Sequence, residues 1–438
     1  MKKKSIFERG QRGRRGFSLP STGIDQKDIG ELGGKFLRAG LLDLPDMNEF
    51  EVVGHFMELS RKNVYAEDLA AGDSSYCYSS PICEEAGALE GFSGIHPFQP
   101  ADSVQGAVEL LFNLQHMLCD MFGMEEFTLQ PYSAESAAHA ACRIARAYYE
   151  ASGEAKKGKM LVAEGAREYM SKAASMVGFD VIPVKTQQDG TLDMEALKSA
   201  GAGFAGLMVS CPNRYGKFEK NLRQASEWVH ENGGIVIADM SNANGIIGFT
   251  NAQKLGVDLV FTSMRETFYA QVGGDNGDCF GLGASSALVP YMPVPYIDID
   301  EEEQFYFNWN REQSIGKAGC YYGGFHCAVK SLVYILSMGF EGLKAAGEQQ
   351  VLLSNYMRVL LRDKYPEIYA GMCFNTCVLK TGEYEDAPHG EEDTTYLLPA
   401  ADEVGDFCFC PAYYEDQAAL EEYSAALHHD GKKNAAEK

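Results

Sequence analysis

The fold of this chain is decided by the stretch VHENGGIVIADMSNANGIIGFT (Val229–Thr250), followed closely by GVDLVFTSMRETF (Gly256–Phe268). Each stretch contains a short apolar run rich in β-branched residues. Such continuous runs are typical of strands buried on both faces of a parallel sheet. Asp239 ends the first run, so we expect its carboxylate at the carboxyl edge of that sheet. On spacing alone, its favoured role is to cap the turn that follows.

Similar apolar runs precede this stretch, and helix-like segments separate most of them. The five predicted strands contain residues 160–163, 181–184, 206–209, 235–238 and 259–261. This alternation predicts an α/β domain in which helices flank a mostly parallel sheet.

The rest of the chain is divided into segments that carry helix signals and segments that lack them. Asp102 resembles an N-cap with Gln105 three residues later, and apolar residues at helical spacing then continue to Gly123. A second helix is predicted from Ser136 to about Ala151. We expect an irregular, extended N-terminal arm (1–60) that lies on a neighbouring subunit or on the domain surface. A large α/β domain (61–316), a smaller α+β C-terminal domain (317–430) and a disordered tail (431–438) are expected to follow.

The charge of the chain excludes some classes of function. Its 438 residues carry a formal net charge of -24, which argues against sequence-independent binding of nucleic acid and against attachment to an anionic membrane. The first fifteen residues are basic instead, and we expect them to be solvated or to lie on the acidic body. No apolar segment has the length of a signal core or a membrane span, so the cytoplasm is the expected location.

The twelve cysteines show no regular framework. Cys373 with Cys377 and Cys408 with Cys410 form two close groups, and four thiolates are able to hold zinc. Their spacings differ from those of zinc ribbons and knuckles, and residues 408–410 alternate like a strand. We therefore favour paired core positions and expect no metal.

The two stretches quoted first resemble the core of subunit 2 of glycine dehydrogenase (decarboxylating), the P-protein of the glycine cleavage system. Other stretches resemble the same family in the same order: GRRGFSLP (Gly13–Pro20), LDLPDMNEFEVVGHFMELSRKN (Leu42–Asn63), LEGFSGIHPFQPADSVQGAVELLFNLQ (Leu89–Gln115), LQPYSAESA (Leu129–Ala137), CPNRYGKFEKN (Cys211–Asn221) and SIGKAGCYYGG (Ser314–Gly324). The resemblance implies a fold-type-I pyridoxal-phosphate architecture. It also implies decarboxylation of glycine on that cofactor, with transfer of the aminomethyl group to the lipoyl arm of the H-protein.

The main departure from the family concerns the covalent anchor of the cofactor. The family attaches pyridoxal phosphate through the lysine of a His-Lys-Thr-Phe run, whereas this chain reads Arg265-Glu266-Thr267-Phe268. A carboxylate cannot form an imine. No lysine lies between Lys254 and Lys317, so a small shift of register does not restore the anchor. We expect Glu266 to be a structural replacement that pairs with Arg265 or Arg167.

The resemblance also implies a vestigial set of cofactor-binding positions, Asp239, Arg167, Ser133 and Thr267. Asp239 matches the acid beside the ring nitrogen. Arg167 stands where the family stacks a histidine on the ring, in a His-Gly-Thr-Asn-Pro run that here reads Arg167-Glu168-Tyr169-Met170-Ser171. Ser133 lies in the phosphate segment. There Glu135 introduces negative charge close to the expected phosphate. Pyridoxal phosphate is therefore expected not to bind tightly.

Three functions remain open at this point. We favour a subunit without its own pyridoxal phosphate catalysis that serves assembly or regulation. It is expected to pair with itself or with intact glycine dehydrogenase subunits, with possible contact to the H-protein. The second is a working enzyme, either an active glycine decarboxylase subunit or a lysine-free enzyme that uses pyridoxal or pyridoxamine phosphate without a covalent bond and Glu266 as its base. The third is a binding module in which Arg167 and Arg265 hold a small anion.

The sequence makes one geometric prediction about this site. Glu266, Arg265, Arg167, Asp239 and Glu135 should converge at the carboxyl end of the sheet. Carboxylates buried together without compensation repel one another. At least one arginine should therefore lie within hydrogen-bonding distance of Glu266 or Asp239.

Overall fold

The computed structural model describes residues 47–62, 80–154, 156–270, 278–319, 322–380, 407–409, 417–418, 420–421 and 424–425. The chain forms two compact units, Met1–Tyr65 and Ala66–Lys438. Within the described ranges, no helix combines the length and the apolar character that crossing a membrane requires.

The described part of the first unit is helix α1, Glu49–Ser60. It begins with a capping box, in which Glu51 N donates to Asn48 Oδ1 (3.1 Å) and Asn48 N donates to Glu51 Oε2 (2.7 Å). The prediction that residues 1–60 are irregular is therefore wrong for this segment. Phe50, Val53 and Met57, and likewise Val52, Phe56 and Leu59, follow helical spacing, a signal that the prediction did not use. Residues 1–46 of the predicted arm lie outside the described residues.

The second unit contains helices of very different lengths. They are α2 (Pro81–Gly87), α3 (Glu90–Ser93), α4 (Gln105–Phe122), α5 (Ala134–Ala151), α6 (Glu168–Met176), α7 (Met194–Ser199), α8 (Leu222–Glu231), α9 (Met264–Phe268) and α10 (Phe325–Leu361). In α10, Gly339 has non-helical angles (φ 60°, ψ -179°) and interrupts the helix.

The two predicted helices are present, and their starts differ from the prediction. Asp102 lies inside a short 3₁₀ turn, Ala101–Ser103, so α4 starts later and Val104 is its N-cap. Gly123 ends α4 in the left-handed conformation (φ 70°), as predicted. The helix predicted from Ser136 begins at Ala134, because Ser133 supplies its cap.

Within the residues that the structure describes, the strands form one large sheet and two ribbons. They are β1 (Glu126–Thr128), β2 (Lys159–Ala163), β3 (Asp180–Val184), β4 (Phe204–Ser210), β5 (Ile235–Asp239), β6 (Leu259–Ser263), β7 (Phe280–Ala284), β8 (Tyr296–Ile299), β9 (Phe305–Asn308), β10 (Cys377–Leu379) and β11 (Phe407–Phe409).

The large sheet has the order β1-β7-β6-β5-β4-β2-β3, and within it β7 alone runs against the others. Every residue of β4, β5 and β6 is buried, as expected for strands covered on both faces. The mostly parallel sheet flanked by helices is thus confirmed. All five predicted strands belong to it.

The two ribbons are antiparallel, β8 with β9 and β10 with β11. Val378 pairs with Cys408, which confirms the predicted strand at residues 408–409, while Cys410 lies outside the described residues. Cys373 and Cys377 are buried in a separate small core with α10. The boundary between the large and small domains at 316–317 stays a prediction.

The topology gathers several chain segments at one edge of the sheet. The order of the strands reverses between β2 and β4. Strand β3 lies on the far side of β2, and strand β5 lies on the far side of β4. A crevice forms at such a switch point, outside the carboxyl ends of the strands. The loops that leave β2, β4, β5 and β6 all meet there.

Candidate active site

A cavity of about 210 Å³ lies at this carboxyl edge. Four of the five charged residues predicted to converge line it, namely Glu135, Arg167, Asp239 and Glu266. The remaining lining residues are polar or small: Ala134, Tyr169, Pro212, Asn213, Ser241, Asn242, Asn375 and Thr376. The cavity thus draws on the ends of β2, β4, β5 and β6, the start of α5 and the segment before β10.

Asp239 is the last residue of β5 and is 3% exposed. Its Oδ2 accepts from Tyr169 Oη (2.5 Å) and from Ser210 Oγ (2.9 Å). Its Oδ1 accepts from Ser241 N (2.9 Å) and Ser241 Oγ (2.6 Å), so it also caps the following turn. An ionised carboxylate offers about four lone-pair positions, and four protein donors use them here.

Tyr169 is the residue of this site that sequence reasoning missed. It lies in the first turn of α6, and the N-cap of that helix, Arg167, donates its backbone N–H to Ser210 Oγ (3.1 Å). Burial raises the pKa of the Tyr169 phenol well above its usual value, and the charge of Asp239 adds to the effect, while Arg167 opposes it. Tyr169 is therefore a neutral hydrogen-bond donor. A buried carboxylate such as Asp239 requires hydrogen-bond donors, and this requirement was the signal in the sequence that a donor such as Tyr169 lies nearby.

Glu266 lies in the short helix α9, which follows β6 directly. Its backbone N–H donates to Ser263 Oγ (3.1 Å), and Asn244 Nδ2 donates to its carbonyl (2.8 Å). Glu266 Oε1 lies 3.7 Å from Arg265 Nη2. An arginine thus approaches this carboxylate at the distance of an ion pair, and the predicted hydrogen bond from an arginine to Glu266 or Asp239 stays a prediction.

Arg265 also lies close to a second carboxylate, that of Asp278. Its Nε lies 3.7 Å from Asp278 Oδ2, and both side chains are largely buried. Asp278 also accepts from Ser263 Oγ (2.9 Å) and from Cys279 N (2.7 Å). Burial raises the pKa of Asp278, and Arg265 opposes this rise. Arg265 therefore neutralises charge next to the cavity.

The start of α5 is the segment where the phosphate group is expected. There Ser136 N donates to Ser133 Oγ (3.2 Å), and Ser136 Oγ accepts from Ser133 N and Tyr132 N (both 3.0 Å). These amides are therefore bonded within the protein. Glu135 adds an exposed carboxylate in the first turn, where negative charge already complements the helix dipole.

Thr267 is fully buried and does not line the cavity. Its Oγ1 donates to Ser241 O (2.8 Å), accepts from Ala243 N (3.1 Å) and meets Thr262 Oγ1 (2.9 Å). This hydroxyl joins α9 to the loop after β5. Its predicted role toward a cofactor stays a prediction, as do those of Arg167 and Ser133.

These contacts do not fit pyridoxal phosphate as the family resemblance implies it. Glu266 cannot form the imine. The lone pairs of Asp239 that would meet a ring nitrogen are taken by protein donors. At the start of α5, the amides of Ser133 and Ser136 are bonded to serine hydroxyls, and the carboxylate of Glu135 stands beside them. Each of the three groups that would hold the cofactor is altered or already bonded.

Two relatives are about one-third identical to this chain over the aligned residues. It is 34% identical over 379 residues to the probable glycine dehydrogenase (decarboxylating) subunit 2 of Caldanaerobacter subterraneus, covering 85% of this chain and 78% of that protein. It is 35% identical over 367 residues to the protein of the same name from Alkaliphilus oremlandii, with coverage of 83% and 75%. No family model matches the chain.

Solved structures share the fold at lower identity. A glycine decarboxylase (P-protein) of the glycine cleavage system, in an inhibitor-bound form, superposes with a TM-score of 0.73 and 18% identity over 94% of this chain and 100% of its own. The Oryza sativa TDC with PLP and tryptamine superposes with a TM-score of 0.65 and 14% identity, covering 91% and 90%. The fold-type-I architecture expected from the sequence is thus confirmed.

Proposed function

Because the chain belongs to the glycine dehydrogenase (decarboxylating) subunit 2 family, we propose that it serves a glycine cleavage system as an assembly or regulatory subunit without its own pyridoxal phosphate catalysis. The observation that carries the proposal is Glu266, which lines the cavity at the position of the family's anchoring lysine. The internal hydrogen bonds of Asp239 and Ser133 support the same conclusion, because they leave the cavity stable without a ligand.

The charge of the cavity disfavours the two other functions. Three carboxylates line it against one guanidinium, so a small anion meets net repulsion there. A lysine-free enzyme that binds pyridoxamine phosphate needs an acceptor for the ring nitrogen, and Asp239 already holds four donors. Neither alternative gains support from the contacts of this site.

The assembly role is supported by α1. None of its residues is buried, and Phe50, Phe56 and Met57 are more than half exposed. A continuous apolar surface of this kind usually marks an interaction site. The proposed partner is a glycine dehydrogenase subunit, either a second copy of this chain or an intact relative.

The catalytic half of the proposal is tested with purified protein and pyridoxal phosphate. The mixture is reduced with borohydride, and adducts are mapped by peptide mass spectrometry, with an intact lysine-containing relative as the positive control. We expect no saturable adduct on this chain and full labelling of the relative. A stoichiometric adduct on a lysine beside the cavity would contradict the proposal.

The assembly half is tested by mixing. The chain is combined with intact glycine dehydrogenase subunits, and complexes are measured by size-exclusion chromatography with light scattering. Exchange of the glycine carboxyl group with bicarbonate is measured on the same samples. We expect a stable complex with itself or with the intact subunits, and no exchange by this chain alone. A monomer under all conditions would refute the assembly role.

A further inference from the structure

We infer that the Tyr169 hydroxyl occupies the position at Asp239 where the nitrogen of a pyridine ring would bind. Tyr169 thereby excludes ligands with a pyridine ring from the cavity. The inference rests on the proposed function and deepens it. The altered anchor at Glu266 explains the loss of a covalent bond, whereas Tyr169 explains why non-covalent binding is lost as well.

The first argument is a count of hydrogen bonds. A pyridinium N–H needs one lone pair on Asp239, and both oxygens already accept two donors each. Ser241 donates from its own backbone in the turn after β5, and Ser210 lies beside Asp239 in the neighbouring strand. Tyr169 is the donor that comes from a separate helix, and its side chain lines the cavity.

The second argument is the way Tyr169 is held. The next residue, Met170, is fully buried, and the helix that carries both is fixed at its start by the bond from Arg167 N to Ser210 Oγ. Ser210 thus contacts both the start of α6 and Asp239 Oδ2. The phenol is directed onto the carboxylate by its backbone position as well as by its own hydrogen bond.

The third argument is space. The phenol ring of Tyr169 lines the cavity and lies against Asp239, so its six-membered ring takes volume next to the carboxylate. The family run that aligns with this segment has threonine at the position of Tyr169. A threonine leaves the region beside Asp239 open, and a tyrosine fills it.

The test uses four proteins: the unchanged chain, Glu266→Lys, Tyr169→Thr and the double variant. Pyridoxamine 5′-phosphate binding is measured by calorimetry, since it needs no lysine. Adducts of pyridoxal 5′-phosphate at position 266 are measured by borohydride reduction and peptide mass spectrometry. In the two proteins that keep Tyr169, we expect pyridoxamine phosphate binding too weak to saturate at the highest concentration tested. In the two that carry the threonine, we expect saturable binding with an affinity at least tenfold above that limit. We expect an adduct at position 266 in the double variant and little in Glu266→Lys.

Tyr306→Thr is the matched control. Tyr306 also directs its hydroxyl to an aspartate, Asp298 Oδ2 at 3.3 Å, on the β8–β9 ribbon away from the cavity. Combined with Glu266→Lys, it should behave like Glu266→Lys alone. If Tyr169→Thr does not fold, Tyr169→Ala also removes both the hydroxyl and the ring. In the Glu266→Lys background it should increase adduct formation over Glu266→Lys alone, whereas Tyr169→Phe, which keeps the ring beside Asp239, should not.

The outcomes separate this inference from the proposed function. Stoichiometric labelling of the unchanged chain on a lysine beside the cavity would overturn the proposed function. An inert unchanged chain together with an inert double variant would overturn only the role of Tyr169. Equal labelling of Glu266→Lys and the double variant would do the same, because the tyrosine would then not exclude the ring.

Discussion

At the scale of single residues, the site is organised by donors and charges that compensate one another. Arg265 lies between Glu266 and Asp278 at 3.7 Å from each. Replacing Arg265 by methionine leaves the largely buried Asp278 without its cation. Breaking such a pair from one side costs about 3–5 kcal/mol. Urea unfolding should show a loss of this order for Arg265→Met, and a much smaller one for the exposed Arg223→Met.

The same variant should have a pH signature. Burial raises the folded pKa of Asp278, so the stability linked to this group is lost as the pH rises through that value. Without Arg265 the pKa rises further, and the charged form becomes more costly. The deficit of Arg265→Met should therefore grow from pH 5 to pH 8. A deficit that shrinks over this range would show that Arg265 does not neutralise Asp278.

Glu219 provides a second pH test close to the cavity. It accepts from Leu192 N (2.8 Å) and from Asn213 Nδ2 (2.7 Å), and Asn213 lines the cavity. Burial raises its pKa from the ordinary 4.5 to about 7. Its contribution is present below pH 4.5 and is lost as the pH approaches and passes 7, a change of up to about 3 kcal/mol.

Glu219→Gln cannot ionise and should lack this pH dependence. We expect the melting temperature of the variant, relative to the unchanged protein, to rise steadily between pH 5 and pH 8. Histidines such as His230 titrate in both proteins, so the comparison cancels their effect. A constant difference across the range would mean that Glu219 ionises normally in the fold.

At the scale of elements, the capping box of α5 makes the next prediction. Ser133 Oγ accepts the Ser136 amide, and loss of such a cap typically costs about 1 kcal/mol. Ser133→Ala should lower the free energy of unfolding by this amount. Ser199→Ala removes a hydroxyl at the end of the short helix α7 and is the control, with an expected change within about 0.5 kcal/mol. Equal losses in the two variants would show that the cap does not stabilise α5.

The elements also show what the sequence reveals. Strands β2 to β6 were predictable because each is a continuous apolar run that needs cover on both faces. Strand β7 was not, because its sequence FGLGA contains two glycines. A Cβ at Gly283 would lie 2.4 Å from Phe127 Cε2, so the neighbouring strand demands a glycine there. This requirement arises from a contact between distant segments, and a local pattern does not contain it.

The site was predictable to a similar extent. The convergence of Asp239, Glu266, Arg167 and Glu135 follows from the family resemblance and the topology of parallel strands. The role of Tyr169 depends on a hydrogen bond across seventy residues of sequence. Its position relative to Asp239 depends on how α6 follows β2, and no spacing in the sequence specifies that angle.

At the scale of the whole molecule, the two compact units differ in how their described apolar residues are covered. The second unit buries a large continuous core, whereas α1 in the first unit exposes Phe50 (72%) and Phe56 (64%). A helix of twelve residues in which no side chain is buried is marginal in water. Chymotrypsin should therefore cleave within residues 47–62 before it cleaves the sheet, as mass spectrometry of early fragments would show.

Association should change this pattern if α1 is the assembly surface. Adding intact glycine dehydrogenase subunits is expected to slow cleavage in α1 and to leave later cleavages unchanged. Phe50→Asp together with Phe56→Asp should abolish the protection without lowering the melting temperature of the second unit. Early cleavage inside β4, β5 or β6 would contradict the assignment of stability to that unit.

The four donors on Asp239 also bear on the history of this chain. If the ring-nitrogen position is filled, a mutation that restores lysine at position 266 confers no cofactor binding by itself. The restored lysine then gives no advantage until a second substitution replaces Tyr169. On this inference, the chemistry that the family resemblance implies is separated from the present sequence by at least two substitutions, with no benefit at the first. Single substitutions are then not expected to restore cofactor binding. Later substitutions in such a protein are constrained by contacts at its surface and no longer by the chemistry of the cavity.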